Sequence, residues 1–131
     1  MTRRHISTGT PWEAIAGYSR AVQVGSLIYV SGTTAADTTG QILHVDDAYE
    51  QMVYVLKKIE AALKQLDSSL QDVVRTRVYV TNMDDIEQVT KAHCEFFGKI
   101  RPANTLVEVS RLATPEMLVE VEVDAVIQEQ G

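Results

Sequence analysis

Residues 117–127 read MLVEVEVDAVI and alternate apolar with largely acidic side chains more regularly than any other stretch of the chain. Successive side chains of a β-strand point to opposite faces, so this period of two predicts a strand with one apolar and one polar face. The apolar face would hold Met117, Val119, Val121, Val123, Ala125 and Ile127.

Five further segments upstream have the residue types of β-strands, among them valine, tyrosine and threonine. They are a short strand around Arg4 to Ser7, followed by Tyr18–Val24, Leu27–Ser31, Val73–Thr81 and Thr105–Leu112. Gly25-Ser26 is a two-residue Gly-X connection, which suits a type II′ hairpin between the second and third strands. Residues 33–45 have the composition of a surface loop, and residues 113–116 that of a turn before the last strand.

Two segments have the three- and four-residue spacing of amphipathic helices. The first begins after Asp46, with Asp47 and Glu50 placed as a capping box. Its apolar stripe comprises Tyr49, Met52, Val53, Leu56, Ile59, Leu63 and Leu66. The second begins near Asn82, and Gly98 is its expected C-terminal cap. The predicted order is therefore β-β-β-α-β-α-β-β, an α+β fold in which two helices cover one face of one mixed sheet.

The sheet face that the helices leave uncovered would place Arg77, Glu108, Glu120 and Glu122 among valines. Such a face has too many apolar residues to be fully exposed to water and too many charged residues to be buried in the core of a monomer. It therefore predicts burial in an oligomer, with the charges paired or lining a wet cleft. The pattern alone does not give the number of subunits.

Composition predicts one domain spanning residues 1–131 and excludes several classes of partner. The formal net charge is -6 and the isoelectric point is about 5.0, which disfavours nucleic acid and anionic lipid surfaces. The single cysteine cannot form an intramolecular disulfide, and neither a signal peptide nor an apolar run of roughly 20 residues is present. We expect a cytoplasmic protein without membrane contact.

Known catalytic and metal-binding motifs are missing from the sequence. No phosphate-binding glycine loop, Cys-x-x-Cys or Gly-x-Ser-x-Gly motif occurs, and His5, His44 and His93 lack metal-ligand spacing. We therefore expect no metal site. The neighbours His93 and Cys94 point about 100° apart on a helix, which favours a buried structural thiol over a Cys-His nucleophile.

Six short motifs, in this order and spacing, resemble those of the reactive-intermediate deaminase (Rid, or YjgF-type) superfamily. They are Gly17-Tyr18-Ser19, Tyr29-Val30-Ser31-Gly32, Val78-Tyr79-Val80, Phe96-Phe97, Arg101-Pro102-Ala103-Asn104-Thr105 and Val119-Glu120-Val121-Glu122. The resemblance implies a chorismate-mutase-like fold and a homotrimer whose sheets form a central barrel. It also implies cofactor-free chemistry on small-molecule ligands in clefts between subunits.

The resemblance further assigns site residues. The deaminating members hydrolyse enamines and imines with a glutamate that directs water, beside a tyrosine and a serine; these match Glu120, Tyr18 and Ser31. An asparagine of the second helix matches Thr90. The arginine that clamps the substrate carboxylate matches Asn104, which offers only neutral hydrogen bonds in place of charge-assisted ones worth roughly 1.5 to 3 kcal/mol.

Two nearby arginines, Arg101 and Arg20, are candidates to replace the missing positive charge. Trp12 is either a lid that stacks on a ligand or an anchor for the N-terminal arm, and its packing area favours the anchor.

Two hypotheses for function remain open at this point. In the first, the protein is a deaminase-like hydrolase of a small reactive imine, enamine or related compound, with Glu120 directing water and Asn104 and Ser31 orienting the substrate. In the second, it is a non-catalytic, ligand-binding or regulatory trimer that uses the same cleft. An endoribonuclease or translation inhibitor is less favoured, because the chain is acidic and lacks a histidine pair or a basic patch.

Overall fold

The computed structural model describes residues 2–128, which form one six-stranded mixed sheet with the strand order β1-β2-β3-β6-β4-β5. The β4–β5 pair is parallel and every other neighbouring pair is antiparallel. The strands are β1 (Arg3–Ile6), β2 (Ala21–Val24), β3 (Leu27–Thr33), β4 (Val73–Val80), β5 (Ala103–Glu108) and β6 (Val119–Val126). The predicted strand order along the chain is confirmed.

Three helices accompany the sheet: α1 (Pro11–Ala16), α2 (Ala48–Gln65) and α3 (Ile86–Phe97). The two long helices are the predicted ones, and α2 begins as expected because the Asp47 side chain accepts a hydrogen bond from the Glu50 amide. The short helix α1 was not predicted, since six residues leave too short an apolar period to detect. Pro11 at its first turn and Gly17 in the left-handed region just after it (φ 81°) mark its ends.

The core lies between α2, α3 and one face of the sheet. The predicted apolar face of β6 is buried: Val119, Val121 and Val123 are fully inaccessible to solvent. They belong to the same buried cluster as Met52, Leu56 and Ile59 of α2 and Val89 of α3. β6 lies between β3 and β4, and every second residue from Val119 to Ala125 is buried.

Three details differ from the sequence-based expectations. The last two strands, β5 and β6, do not form a hairpin. β5 is an edge strand beside β4, and residues 109–118 cross β4 to reach β6 on its other side. Alternation along β4 predicts that Val74 shares a face with Thr76, Val78 and Val80, but a register shift between Val73 and Arg75 leaves Val74 45% exposed while those three residues are buried. Glu108 pairs with the buried Val80 and accepts a hydrogen bond from the Met83 amide, so it does not lie on the uncovered face.

α3 ends at Phe97 with Gly98 as its C-terminal cap, as expected, although the backbone conformation is not the one usual for a glycine cap. Gly98 has right-handed helical torsions (φ -56°), and Arg101 takes the left-handed conformation instead (φ 57°). In residues 2–128, no helix has the length and apolar character needed to cross a membrane.

Candidate functional site

A cavity of ≈ 260 Å³ lies where β3 and β6 meet the N-terminal arm and α2, and Glu120 of β6 lines it. Its wall also includes Trp12, Tyr18, Arg20, Gly32 and Lys58. The cavity therefore combines two cations, one carboxyl group and two aromatic rings.

Gly32 makes room for the carboxyl group. A side chain at position 32 would collide with Oε2 of Glu120, which rests against the glycine. The register of β3 against β6 shifts between Val30 and Thr33. This bulge brings the backbone at Gly32, which has no side chain, against the Glu120 carboxylate. Gly32 thus leaves room for the Glu120 carboxyl group to lie against the backbone of β3.

Burial raises the pKa of the half-buried Glu120 carboxyl above its usual value of 4.5. The nearby Arg20 opposes this shift, and the neighbouring Glu122 on the same strand adds to it. A carboxyl group with a raised pKa holds its proton more strongly, which suits a group that must both accept and return a proton near neutral pH.

Arg20 lines the cavity, and its side chain is only 4% exposed. It donates to the Gly32 carbonyl (2.7 Å) and to the Thr33 hydroxyl (3.1 Å), and its Nη2 lies 3.6 Å from Oε2 of Glu13. The guanidinium therefore holds the β3 bulge in place. Of the two arginines considered as replacements for the missing charge, Arg20 lines this cavity and Arg101 does not.

Glu13 was not identified from the sequence, although it organises the N-terminal arm. Its buried carboxylate accepts hydrogen bonds from the hydroxyls of Ser7, Thr8 and Thr10. Burial alone would raise the pKa of Glu13, but these hydroxyls and Arg20 lower it to about 2. The sequence could have indicated this role, because three hydroxyl residues lie within six positions before Glu13. Glu13 anchors the arm, while Trp12 contributes to the cavity wall.

Tyr18 and Ser31 lie close to Glu120 but have different roles. Tyr18 lines the cavity, and its ring centre is 5.7 Å from the Arg20 guanidinium carbon. The hydroxyl of Ser31 donates to the Ser19 carbonyl (2.7 Å), so it ties β3 to the segment before β2. Tyr18 thus shares the cavity with the Glu120 carboxyl group, while Ser31 holds β3 against the backbone at Ser19.

Asn104 lies elsewhere, on the edge strand β5. Its Nδ2 donates to the hydroxyl of Thr76 (2.9 Å), and that hydroxyl is also 2.9 Å from Nε2 of His93. Burial lowers the pKa of His93, which favours its neutral form. The position that matches the clamping arginine is therefore part of a neutral hydrogen-bonded chain between β5, β4 and α3.

The remaining predicted site residues lie on the same side of the molecule as Asn104. The Thr90 hydroxyl donates to the Ile86 carbonyl within α3 (2.7 Å). Arg101 lines a separate, open cavity of ≈ 470 Å³ together with His93 and Cys94. Cys94 is an exposed free thiol, so the expectation of a buried structural cysteine is wrong. α3 turns this position outward, and Val89, Ala92 and Phe97 supply its buried side.

Lys58 is the second residue that the sequence analysis missed. It lies on α2 in the row formed by Gln51, Val55 and Ala62, all of which are buried. The sequence could have indicated Lys58, because it is a charged residue at helical spacing from Gln51, Val55 and Ala62. This row was overlooked because the neighbouring stripe of larger apolar residues has a clearer period. Within residues 2–128, no group of three or more His, Cys, Asp or Glu side chains is arranged to hold a metal ion.

Sequence comparison relates the chain to a described family. Residues 8–127 match the family Endoribonuclease L-PSP. An uncharacterized protein of Streptomyces coelicolor is 36% identical over 123 residues, which are 93% of this chain and 90% of that protein. The 3-aminoacrylate deaminase RutC of Acinetobacter baylyi is 32% identical over 116 residues, covering 88% of this chain and 90% of RutC.

Solved structures agree with the sequence relatives. A Mycobacterium tuberculosis member of the YjgF/YER057c/UK114 family superposes with a TM-score of 0.87 at 43% identity and covers 96% of this chain and 100% of that one. YyfA of Yersinia pestis, from the Rid protein family, has a TM-score of 0.84 at 34% identity over 96% of this chain and 100% of its own. These similarities confirm the predicted α+β fold.

Proposed function

Because the chain belongs to the Endoribonuclease L-PSP family, also called Rid or YjgF, we propose that it is a cofactor-independent, deaminase-like hydrolase of a small imine or enamine. The observation that carries the proposal is the Glu120 carboxyl group, half-buried with a raised pKa in a cavity large enough for a small metabolite. In its ionised form it accepts a proton from water, which adds to the imine carbon. The protonated carboxyl then returns that proton to nitrogen, which gives a carbinolamine. The carboxylate next takes the proton of the carbinolamine hydroxyl and passes it to nitrogen, so that the carbonyl group forms, the C–N bond breaks and ammonia leaves.

The cavity supports this chemistry by what surrounds the carboxyl group. Tyr18 and Trp12 offer apolar ring surfaces to a small substrate, and Arg20 holds the β3 bulge in place behind Glu120. Burial of a reactive imine would also limit its uncontrolled loss to bulk water. General acid-base assistance from one carboxyl group contributes about 10²–10⁴-fold, which suffices for a substrate that is already reactive.

A cleft between subunits is part of the proposal. Asn104 and Glu120 lie on β5 and β6, with β4 between them. Asn104 is in register with Thr76, and Thr76 with Val123, which is three residues from Glu120 along β6. Two strand spacings of about 4.8 Å and three residues of about 3.4 Å each separate Asn104 from Glu120 by roughly 14 Å, and Asn104 does not line the Glu120 cavity. Asn104 and His93 of one subunit would therefore contact a ligand in the Glu120 cavity only if that cavity belonged to a second subunit packed against them.

The test measures ammonia and 2-oxo acid release from freshly generated 2-aminoacrylate, and ammonia release from 3-aminoacrylate. We expect acceleration by the wild type and a loss of about 10²-fold or more in Glu120→Gln. Glu122→Gln is the matched control, since it changes the next acidic residue on the same strand face and should retain activity. Equal rates with and without the protein would contradict a deaminase.

The alternative is a non-catalytic small-molecule binding or regulatory protein using the same cavity. The variant Asn104→Arg separates the two, because it introduces the guanidinium that would clamp a substrate carboxylate. Activity in the wild type with Asn104→Arg lowering KM by about tenfold or more supports the hydrolase. Saturable binding without product in the wild type, and product only in Asn104→Arg, would assign the native cleft to binding.

A further inference from the structure

Lys58 occupies an unusual place for a lysine. It lies on the side of α2 that faces the protein and lines both the Glu120 cavity and an adjoining cavity of ≈ 170 Å³. Thr10 and Ala36 also line both cavities, so these residues with Lys58 form the partition between them. Lys58 therefore borders the space that a ligand of the Glu120 cavity would occupy.

The hydrogen bonds of Lys58 leave one position of its nitrogen free. Nζ donates to the carbonyl oxygens of Thr34 (3.0 Å) and Ala36 (2.8 Å), and no third hydrogen-bond or ion-pair partner occurs among residues 2–128. A neutral amine keeps two N–H groups, so it can retain both bonds. Its lone pair then takes the remaining tetrahedral position, fixed in direction by the two carbonyl groups.

Several charges surround this amine. Burial and then the nearby Arg20 lower the pKa of Lys58 to about 8, while Glu13 and Asp37 oppose that shift. The Tyr54 ring of the same helix lies 5.8 Å from Nζ, and Glu120 faces the same cavity from β6. A lysine that is desolvated beside another cation is the usual setting for an amine nucleophile, because part of the population is neutral near pH 7.

We propose that Lys58 is a nucleophilic amine that forms a Schiff base with carbonyl and imine compounds in the Glu120 cavity. The lone pair of Nζ forms a bond to the carbonyl carbon, and the carbonyl oxygen takes a proton to give a carbinolamine. Loss of water from the carbinolamine gives the protonated imine. With an imine substrate, the same addition expels ammonia, and water then hydrolyses the Lys58 adduct to release the carbonyl product and the free amine.

This inference deepens the proposed function, because it assigns to the cavity carbonyl and imine compounds and a covalent route that needs no clamping arginine. Glu120 lies in the same cavity and could exchange protons with the carbinolamine. The covalent step can nevertheless be detected without turnover, since a carbonyl compound alone forms the adduct.

The experiment uses pyruvate as the probe and sodium cyanoborohydride to reduce the imine to a stable secondary amine on the intact wild-type protein. Peptide mapping by mass spectrometry then locates the adduct. We expect Lys58 to be labelled at least tenfold faster than Lys57 near pH 7.5, because an ordinary lysine has a pKa near 10.4. Its labelling rate should rise to half its plateau near pH 8, in line with its lowered pKa.

Lys57→Gln is the matched control, since the adjacent residue of α2 is exposed and its loss should leave the labelling of Lys58 unchanged. Lys58→Arg keeps the positive charge and should abolish the specific adduct. Labelling of Lys58 no faster than that of Lys57 in the wild type would overturn the inference without reliance on any variant. Trapping without ammonia release would support Lys58 and contradict the deaminase, while ammonia release without trapping would do the reverse.

Discussion

Glu120 and Glu122 project from the same face of β6, and the negative charge of Glu122 adds to the raised pKa of Glu120. We predict that Glu122→Gln lowers the pKa of Glu120, because it removes a like charge while the burial that dominates the shift remains. A titration of the side-chain carboxyl signals by NMR measures this directly. A pKa that stays constant or rises in the variant would contradict the electrostatic coupling.

The same coupling sets a pH limit on the proposed chemistry. Glu120 must be ionised to accept a proton from water, so activity should rise with pH through a pKa that lies above 4.5. In Glu122→Gln, the rise should occur at lower pH. Glu122 itself accepts a hydrogen bond from the Tyr79 hydroxyl, and a glutamine can still accept it.

At the level of elements, the N-terminal arm and α1 depend on Glu13. The folded-state pKa of about 2 lies below the usual 4.5, so the stabilisation from the ionised carboxylate is complete above pH 4.5 and is lost as the pH falls toward 2. The shift corresponds to roughly 3 kcal/mol. We predict that Glu13→Gln lowers the free energy of unfolding at pH 7 and weakens its dependence on pH in this range.

Urea unfolding at pH 7 and pH 3 measures this effect, and fluorescence of Trp12 reports on α1 because it is the only tryptophan. An equal pH dependence in the wild type and in Glu13→Gln would contradict the role of Glu13. Loss of the anchor should also open the cavity wall to which Thr10 and Trp12 contribute.

For the whole molecule, the uncovered sheet face predicts self-association. It carries the ion pair of Arg77 with Asp124 (3.2 Å) and the acidic residues of β6, beside Tyr29, which is 50% exposed. Because the resemblance to the Rid superfamily implies a homotrimer, we predict trimers, with a mass about three times the 14.5 kDa of one chain by light scattering. Tyr29→Glu should shift the mass toward one chain, while Val45→Glu, in the loop before α2, should leave it unchanged. A monomeric wild type would contradict the prediction.

The sequence was sufficient to predict both long helices, all six strands and the buried face of β6, because each depends on the spacing of apolar residues along the chain. The family resemblance grouped Tyr18 with Glu120, and both residues line one cavity. The sequence did not predict α1, since six residues carry too little periodicity. It also misplaced Val74 and Glu108, because a bulge and a parallel edge pairing depend on the partner strand.

The sequence by itself determined the α+β class, the order of the main elements and the acidic character that disfavours nucleic acid. Only the tertiary structure decided that Lys58 and Arg20 share a cavity with Glu120, and that Asn104 belongs to a chain with Thr76 and His93 instead. The physical reason is distance along the chain: side chains many residues apart meet only after the sheet has formed. Their pKa values then depend on the burial and charges created by that meeting.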